Sequence, residues 1–169
     1  MVGIDDPASI SKLQGPGYGI IWLEEPAPIH EPARVDYYLR LQRSDGLGIK
    51  LWQKAGHRFG LITARTSHLV DLRVAELGIE IVRQGSDDKL AAVLAVIEEY
   101  KLRPQQVCYI GDDLPDLRAA TSVGLAVAVA DACEEMRAAA RYVTTLAGGH
   151  GAVREAIEVI LKAQRRWSD

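Results

Sequence analysis

VCYIGDDLPDLR, residues 107–118, is the stretch whose reading decides the fold. Val107, Cys108, Tyr109 and Ile110 do not alternate apolar with polar, which is the pattern of a strand covered on both faces inside a parallel sheet. Gly111 lets the backbone turn tightly, and Asp112 and Asp113 then fall at the carboxyl end of the strand, where open α/β sheets place their ligands. Pro115 followed by Asp116 reads as the first turn of a helix, because proline has no N–H to lose there and acidic groups suit that end of the macrodipole. Carboxylates crowded onto one loop repel one another, so the loop calls for open water or a cation. Magnesium, which takes a few carboxylates with water and phosphate oxygens, would answer that need. On the loop alone, an acidic, solvated helix start is the competing reading.

Outward from this stretch the chain alternates helices and strands from Asp45 onward, which implies a parallel sheet with helices packed on it. The pattern predicts helices over 45–55, 67–77, 116–122, 134–140 and from 152 onward, with a further helix capped by Ser86 or Asp87 and lined by Leu90, Val93, Leu94, Ile97 and Tyr100. Strands are predicted over 58–63, 79–82, 125–129 and 142–143. The last helix presents Ala152, Val153, Ala156, Ile157, Ile160 and Leu161 on one face. Ahead of Asp45, residues 1–17 read as an irregular lead-in and 18–23 (YGIIWL) as the first strand. Pro26, Pro28 and Pro32 then exclude regular structure up to Val35, and 35–42 (VDYYLRLQ) alternates as a half-exposed strand.

If the strands are parallel, Thr63, Arg65, Asp112, Asp113 and Asp131 share one rim of the sheet, and Lys89 at a helix start can reach it. A threonine hydroxyl can donate to a phosphoryl oxygen, and an arginine can fork onto a carboxylate or phosphate. Taken singly, each has a plainer reading: a locally bonded strand-end hydroxyl for Thr63, a solvated surface cation for Arg65 and Lys89. His30, His57 and His68 read as surface residues. His150 differs, since a glycine-rich loop entering a helix can approach an anionic ligand.

With 169 residues, 48% hydrophobic and 25% charged, the chain has the composition of one ordinary globular domain. A net charge of −3 gives no basic footprint for nucleic acid. No apolar run reaches membrane-spanning length. Two cysteines, Cys108 and Cys133, offer no disulfide framework and suit a reducing cytoplasm.

The segments DGLGIKLWQKAG (45–56), LITAR (61–65), DDKLAAV (87–93), YIGDDLPDLRAATSVGLAVAVADA (109–132) and GGHGAVREAIEVIL (148–161) resemble, in order and spacing, the haloacid-dehalogenase-like phosphatases. The resemblance is to the small branch containing 3-deoxy-D-manno-octulosonate 8-phosphate phosphatase, to which the C-terminal domain of animal sialic-acid cytidylyltransferases also belongs. It implies a three-layer, Rossmann-like parallel sheet over 18–169 with a hairpin flap at 28–44 and no separate cap domain. It also implies a homotetramer and a magnesium-dependent attack on a phosphorylated sugar acid. By resemblance Thr63 holds the phosphoryl group, Lys89 neutralises it and Asp112 and Asp113 hold magnesium. Gly111 and Asp116 support the loop, while Arg65 and His150 face the substrate, His150 standing where the family more often has arginine.

The family also carries an Asp-x-Asp on its first strand, the nucleophile and the acid/base residue of a covalent mechanism. No Asp-x-Asp occurs in this chain. Counting back from Asp45 by the family's spacing puts Gly19 and Ile21 at those positions; with a shorter loop the strand ends instead at Glu24 and Glu25. Losing a covalent nucleophile can cost on the order of 10⁶ in turnover, and losing a metal-binding carboxylate weakens the magnesium site. Three readings follow: a domain that assembles or binds phosphate without turnover, an active phosphatase with an altered first strand, and an engineered scaffold that uses the fold for assembly.

Overall fold

The computed structural model describes residues 20–23, as a backbone strand, and residues 45–167. The lead-in at 1–17, the flap at 28–44 and the strand expected over 35–42 lie outside the described residues, as do Gly19, Glu24, Glu25 and His30.

Among the described residues six parallel strands make one sheet in the order β3-β2-β1-β4-β5-β6. They are β1 Ile20–Leu23, β2 Arg58–Ile62, β3 Ile81–Arg83, β4 Val107–Gly111, β5 Leu125–Ala128 and β6 Tyr142–Val143. The helices are α1 Asp45–Lys54, α2 His68–Leu77, α3 Lys89–Glu99, α4 Leu114–Thr121, α5 Glu134–Ala139 and α6 Ala152–Ala163. α1 packs on α6 and α2, while α4 packs on α3 and α5, so the sheet lies between two helical layers as the sequence led one to expect. The strand order reverses between β1 and β4. That is the topological switch point, where a crevice opens beyond the strand ends.

The unalternating run of β4 is buried along its whole length, which is what an interior strand needs. The face named for α6 is the buried one, with all six of its residues at or below 2% exposure. Gly78 closes α2 in the left-handed conformation at φ 65°.

Several boundaries and roles differ from expectation. α4 begins at Leu114 rather than Asp116, with Pro115 in its first turn. α3 is capped by Asp88, whose carboxylate accepts from the Ala91 N–H, and not by Ser86 or Asp87. The Ser86 N–H instead donates to the Thr63 carbonyl and ties the start of that loop to the end of β2. His57 is not a surface residue: it is buried, stacked on Trp52 with ring centroids 4.2 Å apart, and its Nε2 lies 2.9 Å from Gln164 Oε1. The C-terminal end of α6 covers it, a contact that only the tertiary fold creates. His68 is exposed. Among the described residues no helix is long and apolar enough to cross a membrane.

Candidate active site

The loop after β4 closes around Asp116. Its Oδ2 accepts from the backbone N–H groups of Asp112 at 3.2 Å and Asp113 at 3.3 Å, and Oδ1 accepts from the Tyr109 hydroxyl and from Lys89 Nζ at 3.0 Å. The side chains of Lys89 and Asp116 are 1% and 0% exposed. A buried ammonium and carboxylate each cost several kcal/mol to dehydrate, so neither persists at such a place without the other and further hydrogen bonds. Gly111 is required by this closure: a Cβ there would stand 2.6 Å from the Cβ of Asp116.

The plainer reading of Lys89 as a solvated cation is thereby overturned. Lys89 opens α3, which packs on α4 and β2, and it is 2% exposed. The plainer reading of Thr63 does describe a contact that exists, because its Oγ1 accepts from the Arg65 N–H at 3.1 Å. Thr63 is also buried, directly after β2. β2 and β4 flank β1, so Thr63 and Asp112 stand on the same edge about 10 Å apart, at one strand spacing of roughly 4.8 Å per step. Arg65 is exposed two residues further along that rim.

Asp113 caps α4, its Oδ1 accepting from the Leu114 N–H at 2.8 Å, and Asp116 completes a capping box with it. Asp112 is half-buried, with its carboxyl group beside that of Asp116. Burial, then the neighbouring charge of Asp116, pushes its pKa up to about 6. A half-buried carboxyl held beside a second carboxylate is a site that a hard, oxygen-seeking cation would stabilise, so Asp112 fits a magnesium ion as one protein ligand. Among the described residues no group of three or more His, Cys, Asp and Glu side chains could hold a metal, so the remaining ligands would be water and phosphate oxygens or residues beyond those described.

The register of β1 bears on the front of the site. Ile21 pairs with Phe59 and Cys108, which places it in mid-strand rather than level with Asp112. Leu23 pairs with Leu61, two residues before Thr63, so the strand reaches the edge only after Ile21 has been passed.

The second loop at this edge carries His150. Its ring Nδ1 lies 2.9 Å from the Gly148 carbonyl, and the Gly148 N–H donates to Asp131 Oδ1 at 2.8 Å. The Cys133 N–H donates to the Asp112 carbonyl at 2.8 Å, which links the loop after β5 to the acidic loop. The edge thus brings together Thr63, Arg65, Lys89, Asp112, Asp113, Asp116, Asp131 and His150.

Two carboxylates that organise this edge escaped the sequence reading. Glu155 accepts from the Tyr142 hydroxyl at 2.6 Å, from both N–H and Oγ1 of Thr145, and from the Leu146 N–H. Burial raises its pKa, but these hydrogen bonds outweigh it and hold the carboxylate below the ordinary glutamate range. Asp45 caps α6 from the start of α1. Tyr109 carried a signal that could have been used, since a buried phenol needs a partner and Asp116 lies one helical turn beyond the strand.

A family model described as haloacid dehalogenase-like hydrolase matches residues 73–157. The chain belongs to the haloacid dehalogenase-like hydrolases. Within them it is 43% identical over 125 residues to 3-deoxy-D-manno-octulosonate 8-phosphate phosphatase KdsC of Escherichia coli K12, a match covering 74% of this chain and 66% of that protein. The match therefore spans just under two thirds of the relative's length. The crystal structure of 3-deoxy-D-manno-octulosonate 8-phosphate phosphatase from Moraxella catarrhalis, in complex with magnesium ion, phosphate ion and KDO molecule, is similar at a TM-score of 0.79 and 33% identity. It covers 96% of this chain and 94% of that one. The Yersinia pestis phosphatase gives a TM-score of 0.80 at 31% identity, covering 98% and 89%. Like these relatives, this haloacid dehalogenase-like hydrolase builds its edge from a parallel sheet, and the branch named from its sequence segments is the one to which they belong.

Proposed function

We propose that this domain grips a phosphorylated sugar acid, of the 3-deoxy-D-manno-octulosonate 8-phosphate kind, and turns it over slowly or not at all. The observation that carries the binding half is the Lys89 ammonium held 3.0 Å from Asp116 Oδ1, on the loop that also carries Asp112. In this reading Lys89 supplies charge to the phosphoryl group and Thr63 donates its hydroxyl. Arg65 and His150 face the organic part, the latter from a glycine loop held by Asp131 and Asp45. Asp112 holds magnesium, with Asp113 and Asp116 keeping the loop in shape. When bound, the metal would draw charge from the phosphoryl oxygens.

The weak-turnover half rests on the sequence. Without an Asp-x-Asp there is no aspartate pair to attack phosphorus and then activate water, and the metal loses an anionic ligand. The protein should bind phosphate with magnesium in a calorimeter and release little phosphate from 3-deoxy-D-manno-octulosonate 8-phosphate.

One observation favours the second reading, an active phosphatase with a re-routed first strand. β1 ends at Leu23, which pairs with Leu61 two residues before Thr63, and the next two residues in the sequence are Glu24 and Glu25. Rapid phosphate release, abolished in both Asp112→Ala and a Glu24→Gln/Glu25→Gln double variant, would establish that reading and sink ours. The homotetramer and the cytoplasmic location are part of the proposal as well. The free thiols of Cys108 and Cys133 support the location, and light scattering showing a stable monomer at micromolar concentration would remove the tetramer.

A further inference from the structure

The start of α6 has no cap of its own. Its N-cap residue is Gly151, at φ 107° in the left-handed region, so a local Ser, Thr, Asp or Asn cap is replaced by a residue without a side chain. The missing acceptor arrives from the far side of the chain. Asp45 Oδ2 accepts from the Gly151 N–H at 3.3 Å and Oδ1 from the Arg154 N–H at 3.1 Å, and the Val153 N–H also bonds this carboxyl group. Asp45 is 1% exposed.

The reach depends on the sequence Asp45-Gly46-Leu47-Gly48. A Cβ on Gly48 would stand 2.8 Å from the Cα of Arg154, so α1 and α6 meet there backbone against backbone. Only that close approach lets a side chain as short as aspartate span the gap. The other two carboxylates on this loop act earlier along it, Glu155 on Thr145 and Leu146 and Asp131 on Gly148. The back half, with His150, is left to Asp45.

A helix start that needed only stability could carry its cap at position 151. Here that position is the glycine that turns the chain sharply and leaves His150 exposed at the edge, and the cap comes from the first residue of another helix. The charge of His150 also acts on the Asp45 carboxyl group, so the two are electrostatic neighbours.

We propose that Asp45 is the positioning residue for His150: by holding the first N–H groups of α6 it fixes where the imidazole stands on the ligand edge. The inference rests on the proposed function only in taking His150 to face the organic part of the ligand.

The test uses the full chain and its Asp45→Asn, His150→Ala and doubly substituted forms. Imidazole ring resonances are recorded without ligand, and affinities for 3-deoxy-D-manno-octulosonate and, separately, for inorganic phosphate are measured by calorimetry with magnesium present. In Asp45→Asn the His150 resonances should shift or broaden while those of His57 stay. Sugar-acid affinity should fall about fivefold to tenfold, the order of one lost charge-assisted contact. The double variant should lose no more than His150→Ala alone, and phosphate affinity should change by less than about twofold, well under the tenfold that 1.4 kcal/mol represents.

Unmoved His150 resonances in folded Asp45→Asn would overturn the proposal, whatever happens to the melting temperature, because a purely stabilising cap leaves the folded ring where it was. Should that variant fail to fold, Asp45→Ser keeps an acceptor but shortens its reach, and the same comparison decides. If the parent chain binds no sugar acid at all, the functional reading fails, while the ring resonances still settle the role of Asp45.

Discussion

The loop after β4 and the loop before α6 stand on the same edge of the sheet, yet the first is closed mainly by its own residues and the second by residues from three other places. In the acidic loop Asp116 folds back onto the N–H groups of Asp112 and Asp113, and Asp113 caps the helix that follows. In the glycine loop Asp131, Asp45 and Glu155 each take a different N–H, and two of the three lie before the loop in sequence. A locally closed loop forms as soon as its neighbours do, while a distally pinned loop is correct only when the whole layer is in place. The first suits a phosphate and metal grip that must be rigid. The second suits a contact whose position is set by how two helices pack.

Asp116→Asn attacks the local closure where it is most exposed to failure, because it removes the carboxylate 3.0 Å from the buried Lys89. We expect a loss of about 3–5 kcal/mol, the usual consequence of breaking one side of a buried ion pair, read by urea denaturation. A loss under about 1 kcal/mol would mean that the lysine has other means of support, since exposed pairs cost that little.

Glu155→Gln strikes the distal pinning. Hydrogen bonds to a charged acceptor contribute about 1.5–3 kcal/mol, and we expect a loss of that order at neutral pH. The pH dependence follows from the sign of the shift. A glutamate whose pKa is lowered by folding contributes stability that is present above its unfolded value and disappears as pH falls through the folded one. Parent and variant should therefore converge in acid, below the ordinary glutamate range, and denaturation curves that stay parallel down to pH 3 would contradict the pinning.

Gly111→Ala sharpens the local case. The added Cβ would meet Asp116 at 2.6 Å, and overpacking of this kind costs about 1–3 kcal/mol. Loss of phosphate affinity should accompany it, since moving Asp116 moves Lys89. Calorimetry would check this. Asp113→Ala should do least, about 1 kcal/mol for a lost helix cap, with phosphate binding retained. A collapse of magnesium binding in that variant would show instead that Asp113 is a metal ligand, as the family resemblance implies.

The local loop was legible in the sequence because its instructions are adjacent: an unalternating strand, a glycine, a proline in the first helical turn. Even there the division of labour among the aspartates was not. The sequence put Asp112 and Asp113 together as metal ligands and Asp116 in support, and only the fold makes Asp113 a cap, Asp116 the partner of Lys89 and Asp112 the half-buried group beside it. The reading of Lys89 shows the same limit, since nothing in its neighbours in sequence says that it will be buried against Asp116, 27 positions on. His57 failed as a surface residue for a related reason: its cover is Gln164, more than a hundred positions away.

What the sequence by itself determined was everything written in periods and short spacings: the alternation of helices and strands, the interior character of β4, the buried face of α6, the family and the absence of an Asp-x-Asp. What only the tertiary structure decided was which charges meet. Asp45 and Gly151 are 106 residues apart, and no local pattern connects them. They are brought together because Gly48 lets α1 and α6 touch, and a buried carboxyl group must find donors wherever the fold has left them.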